Sequence, residues 1–158
     1  MKVRPDCAKI ISGGQTGADR AAMDWAMEHQ VPHGGWCPKG RQAEHGRIPE
    51  RYSLRETPSD DSAQRTEWNI RDSDGTVIFS IGPRLTGGSK QTAELARQHG
   101  KPMLHLCKNA KDSVPEQALI EFIVRNQIHS LNIAGPRASE EPDIATFVRE
   151  VLDKTFGQ

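Results

Sequence analysis

Three times along this chain a short run of apolar residues stops abruptly at a turn containing glycine. "AKIIS" (8–12) runs into Gly13-Gly14-Gln15-Thr16-Gly17. "TVIFSI" (76–81), which follows an Asp74-Gly75 turn, runs into Gly82-Pro83-Arg84-Leu85-Thr86-Gly87-Gly88-Ser89. "SLNIA" (130–134) runs into Gly135-Pro136-Arg137. Short apolar, β-branched runs bounded by such turns read as buried strands. Helical spacing follows them. Ala18, Ala22, Trp25, Ala26 and His29 share one face of a helix over 17–30, which Val31-Pro32 stops because proline lacks an amide and restricts its predecessor. Further helices are predicted over 90–98, 114–126 and 142–156, and a fourth strand at "KPMLHL" (101–106).

Alternating strands and helices, with connections long enough for crossovers, predict an α/β fold: a Rossmann-like, doubly wound, mainly parallel sheet with helices on both faces. The 158 residues suit one domain, 1–158. Between 31 and 61 the periodicity weakens. A short strand is expected around Trp36, then a long ordered excursion of the kind that often carries function. Asp61 is placed to cap a short helix over 62–72. Asp72-Ser73-Asp74 precedes a strand and so lies at the opposite edge from the glycine turns; it reads as turn chemistry.

In a parallel sheet the carboxyl strand ends share one edge, where ligands bind. One glycine turn there needs no explanation beyond tight strand–helix geometry; three predict a binding site. Glycine lets the backbone approach closely, and the following helix offers unpaired amides and its positive dipole end, a combination suited to phosphate. The predicted ligand-binding set is Gly13, Gly14, Gln15, Thr16, Gly17, Asp19, Arg84, Thr86, Gly87, Gly88, Ser89, Thr92, Gly135 and Arg137. Thr16 and Ser89 add hydroxyl donors, and Arg84 and Arg137 can bind phosphate bidentately. Asp19 either complements its helix dipole or holds a ligand hydroxyl or loop amide. Trp36, Lys39 and Arg41 are candidates for closing the site, Trp36 by stacking on a heterocycle.

None of the glycine turns matches GxxxxGK[ST]. GxGxxG fails at Ser12, and "GGWCPKG", about 20 residues on, lacks the acid that a dinucleotide fold uses to hold the ribose, so an ordinary NAD-dependent dehydrogenase is disfavoured. Lysine plus arginine number 21 and aspartate plus glutamate 21, a formal net charge of zero, so no global attraction to nucleic acid or anionic membrane is expected. No apolar run approaches the ~20 residues of a membrane span. The three cysteines are scattered, reading as free thiols in a reducing cytoplasm. The six histidines lack metal spacing, and no protein-ligated metal is predicted.

Taken together, "GGQTGAD", "GGWCPKGR", "RTEWNIRDSDGT", "LTGGS" and "LNIAGPR" resemble the molybdenum carrier family, a circularly permuted YpsA-like branch of a Rossmann-like superfamily. The resemblance covers about residues 8–155. It implies a doubly wound fold with its ligand site at the glycine loops. The superfamily also includes lysine-decarboxylase-like phosphoribohydrolases, with the signature PGGxGTxxE. Here "TGGSKQTAE" keeps Gly87, Gly88 and an acid, Glu94, which the resemblance makes the catalytic group if the chain is an enzyme. Thr86 and Lys90 replace the proline and middle glycine, and Thr92 falls one place late. The leading expectation is therefore a cytoplasmic binding or carrier protein for a phosphorylated heterocycle, either the molybdenum cofactor or a nucleotide. The alternatives are a hydrolase of nucleoside monophosphates and a nucleotide-sensing module. The expected partner is a small phosphorylated molecule, with no nucleic acid or membrane; a homo-oligomer is compatible with this reading.

Overall fold

The computed structural model of the chain describes residues 7–111 and 113–157. Strand β1 (Lys9–Ile11) leads through the first glycine turn into helix α1 (Ala18–Glu28). Four two-residue strands follow: β2 (His33–Gly34), β3 (Trp36–Cys37), β4 (Gln42–Ala43) and β5 (Gly46–Arg47). Then come β6 (Arg55–Glu56), α2 (Ser62–Arg71), β7 (Gly75–Ser80), α3 (Gly87–Gln98), β8 (Met103–Cys107), α4 (Pro115–Arg125), β9 (Ser130–Ala134) and α5 (Ile144–Phe156). Asp61 caps α2 as its sequence position predicts, accepting the Ala63 amide at 2.9 Å.

Five strands form one sheet in the order β2-β1-β9-β7-β8, and all four pairings are parallel. The Rossmann-like doubly wound expectation holds. Alternation along β7 and β9 sends Val77, Phe79, Leu131 and Ile133 to one face, into the main core with α1, α4 and α5. Along α5, Ile144, Phe147, Val148, Val151 and Leu152 form the buried stripe, with Phe147 edge-on to Phe79 at 5.6 Å. Each such side chain contributes about 1.5–3 kcal/mol on burial. Helices α2 and α3 pack together, and α3 lies against β7 and β8. Thr76 and Asn132 sit on the strand face opposite Val77 and Ile133, and the Asn132 side chain donates to the Thr76 hydroxyl at 3.2 Å.

The excursion is ordered by pairing outside the main sheet. β3 runs parallel to β6, and β4 pairs antiparallel with β5. A smaller core of Met23, Cys37, Ile48 and Tyr52 anchors it to α1. At the amino edge Asp74 accepts the amides of His129 (2.9 Å) and Ser130 (3.1 Å), the turn role expected of it. Among the described residues Cys37 and Cys107 form no disulfide, and no helix is long and apolar enough to cross a membrane.

Candidate functional site: a crevice at the carboxyl edge

With every strand of the main sheet parallel, the turns after β1, β7 and β9 emerge at one edge. β9 lies between β1 and β7, so the chain leaves this centre in both directions, the position where doubly wound sheets open a crevice. A cavity of ≈180 Å³ lies there, bordered by Gly13 and Gln15 of the first turn, Gly88 and Ser89 of the second and Gly135 and Arg137 of the third. A second cavity of ≈420 Å³ adjoins it, bordered by Arg84 and Thr86 and sharing Ser89, Pro136 and Glu140 with the first.

The first and third turns touch through backbone. Gly17, with φ 82, caps α1, and a Cβ there would stand 2.5 Å from the Pro136 carbonyl oxygen. A Cβ on Gly135 would stand 2.7 Å from the Ala18 Cβ. Glycine is required at both places by space, and at Gly17 by backbone conformation as well.

Several donors around the first turn are used inside the protein. The Gln15 amide donates to Asp19 Oδ2 at 3.2 Å, and the Ala18 amide to the Pro136 carbonyl at 3.2 Å. Arg65 Nη1 donates to the Gly13 carbonyl at 2.9 Å and lies 4.0 Å from Asp19. Burial pushes the Asp19 carboxyl above its ordinary range, while Arg65, the Gln15 and Gly13 amides and the Ser12 hydroxyl pull the other way. Asp19 thus stands in the first turn of α1, where an acid complements the helix dipole, accepts a glycine-loop amide, and also borders the crevice. The other helix start at the crevice is that of α3, where the Ser89 amide donates to the Thr86 carbonyl at 3.1 Å. It begins at Gly87, not Lys90 as expected, and a Cβ on Gly88 would meet nothing within 4 Å. Ser89 and Thr92 are buried against the crevice, the Thr92 hydroxyl donating to the Gly88 carbonyl at 2.8 Å.

Gly14, Thr16 and Gly17 stand behind the crevice wall. The Thr16 hydroxyl donates to Glu44 and accepts the Ala138 amide at 3.2 Å. Glu44 Oε2 also accepts the Ser139 hydroxyl at 2.5 Å. These hydrogen bonds, Ser139 first, hold the Glu44 carboxyl down at about 2. Glu44, on the β4–β5 turn, therefore clasps the first glycine turn to the third.

The expected closing residues are elsewhere. Trp36 is held between the Arg55 guanidinium, 4.3 Å from its ring, and Trp68, edge-on at 4.7 Å, and its indole N–H donates to Asp72 at 2.8 Å. Arg41 is buried, and its guanidinium donates to the carbonyls of Ile48 (3.1 Å), Leu54 (3.4 Å), Pro49 (2.8 Å) and Tyr52 (3.0 Å), so it organises the excursion from within. Lys39 is exposed and borders neither cavity. Glu94 is also exposed and outside both cavities, two residues beyond Thr92 on a different face of α3. The acid required by the hydrolase reading is thus not at the crevice.

A family model describing the circularly permutated YpsA SLOG family matches residues 10–156. The chain belongs to the circularly permutated YpsA SLOG family. It is similar to a solved structure from Syntrophus aciditrophicus SB, described as "Putative molybdenum carrier protein", with 48% identity over 97% of each chain and a TM-score of 0.91. No curated protein matches.

In this SLOG family member the fourth wall of the crevice comes from α2, which the sequence reading left out. Ser62, Arg65, Thr66 and Asn69 line it at helical spacing. The Asn69 side chain accepts the Trp36 amide (2.7 Å) and donates to its carbonyl (3.0 Å), fixing α2 to β3. A polar stripe at i, i+3, i+4 and i+7 on a predicted helix was the available signal. Asn132 and Glu140 were also missed: one looked like an ordinary strand residue, the other like a surface acid beyond a turn.

Proposed function

We propose that this chain binds a small phosphorylated heterocyclic molecule in the crevice, and that it carries this ligand without transforming it. The single observation behind this reading is the convergence of the first turn of α3 with Arg65 and Arg137 around one cavity at the carboxyl edge. Helix-start amides, a hydroxyl and guanidinium groups are the donors a phosphate needs. Arg65 is only 12% exposed in its side chain, and its fixed position limits the ordering cost of binding. A nucleotide and the molybdenum cofactor are the ligand classes we assign. The carrier description of the Syntrophus protein favours the second. The donor set fits the phosphate of such a cofactor. Among the described residues no group of three His, Cys, Asp or Glu side chains is placed to hold a metal ion, so the metal would enter within its organic carrier.

Native mass spectrometry of freshly purified protein, together with thermal melting in the presence of nucleoside monophosphates, tests this reading. The expected results are a retained phosphorylated ligand or a ligand-dependent rise in melting temperature by mass action. Chromatography of the same mixtures should show no free base. Base released at a steady rate would replace the carrier reading with the hydrolase, and an unchanged melting temperature with every phosphorylated compound would remove both.

A further inference from the structure

On the phosphate-binding reading above, we propose that Glu140 is a tethered competitor for the anion position, and that it sets how strongly charged a ligand must be to enter the crevice. Glu140 lies in the turn after β9, where its amide donates to the Arg137 carbonyl at 3.0 Å. Its Oε1 accepts from Arg137 Nε at 3.3 Å and from the Arg137 amide at 3.4 Å. Its Oε2 stands 3.8 Å from where a Cβ on Gly87 would be, beside the start of α3. One carboxylate therefore holds the guanidinium that an entering anion would use and lies beside the first residue of α3. It also borders both cavities, at the wall they share with Ser89 and Pro136.

The side chain of Glu140 is 44% exposed, so it can leave without opening a core. While in place it competes at an effective concentration in the millimolar range or above, as tethered groups do. An incoming carboxylate offers the same single charge and the same two oxygens, so it gains little by displacing Glu140. A phosphate brings nearly two charges and three acceptor oxygens and can outbid it. Glu140 thus filters ligands by charge. It lowers apparent affinity by the fraction of time it occupies the position.

Calorimetric titration of the full chain with pyrophosphate, a probe independent of any heterocycle, tests the assignment. Glu140→Gln keeps size and polarity but removes the charge. It should bind pyrophosphate about tenfold more tightly than the wild type. Asp143→Asn removes a carboxylate three positions on, on an exposed residue bordering neither cavity, and should stay within about twofold of the wild type. Equal or weaker binding by Glu140→Gln, or an equal gain in both variants, overturns the proposal while leaving phosphate binding intact. Binding by Glu140→Gln alone supports it in its strongest form. If wild type and variants all ignore pyrophosphate and nucleoside monophosphates, the phosphate reading fails and the competitor role falls with it.

Discussion

Gly17 and Gly88 look alike in the sequence, each in a glycine turn at the start of a helix, yet they do different work. Gly17 adopts φ 82 with the Pro136 carbonyl 2.5 Å from its missing Cβ, whereas the space beside Gly88 is open. Gly17→Ala should cost about 3 kcal/mol, combining a strained backbone with a clash that only the third turn's retreat can relieve. Gly88→Ala should alter stability by less than about 1 kcal/mol, alanine being the better helix former, yet its methyl group would stand in the crevice and weaken ligand binding. Urea unfolding of both variants, with nucleotide titration of the second, checks the pair. The sequence marked these glycines as a class because glycine is legible wherever a turn is. It could not sort them, since what distinguishes them is a backbone more than a hundred residues further along the chain. Asp19 is ambiguous in the sequence for the same reason: only the folded turn brings the Gln15 amide and Arg65 to it.

At the level of elements, the strand–helix alternation carried most of the fold, because hydrophobic period is a local property of the chain. It misplaced the start of α3 because two glycines have low helix propensity. The excursion between β3 and α2 was legible only as ordered. Its two-residue strands are too short to leave a period, and it is held by Arg41 from inside and by Glu44 at the site. The Glu44 clasp makes a pH prediction. Its carboxyl lies at about 2 in the fold against 4.5 when unperturbed. A depressed carboxyl contributes stability that is complete above its unfolded value and is lost as pH falls through the folded one. Wild type should therefore melt higher than Glu44→Gln at pH 7, and the difference should shrink from about pH 4.5 downwards and vanish near pH 2. Thermal melts across that range are the measurement; a gap unchanged at the acid end would mean that the clasp works through packing, not charge.

For the whole molecule, equal numbers of acidic and basic residues leave no global attraction for polyanions. Duplex DNA should bind only weakly and with a shallow dependence on salt, since few phosphates can be neutralised at once. Filter binding at several salt concentrations checks this, and a steep slope would reveal a basic track outside the crevice. The order β2-β1-β9-β7-β8 has one more consequence. The two halves of the sheet, β2-β1 and β7-β8, join only through β9. Across that join the Ser12 hydroxyl bonds to the Ile133 carbonyl at 2.9 Å, although the two residues are 121 positions apart. A chain growing from the ribosome therefore exposes two open strand edges until its final strand arrives, and slots that strand between them like a keystone. The crevice, walled by turns on both sides of that strand, does not exist for a nascent chain and is completed only when β9 joins the sheet.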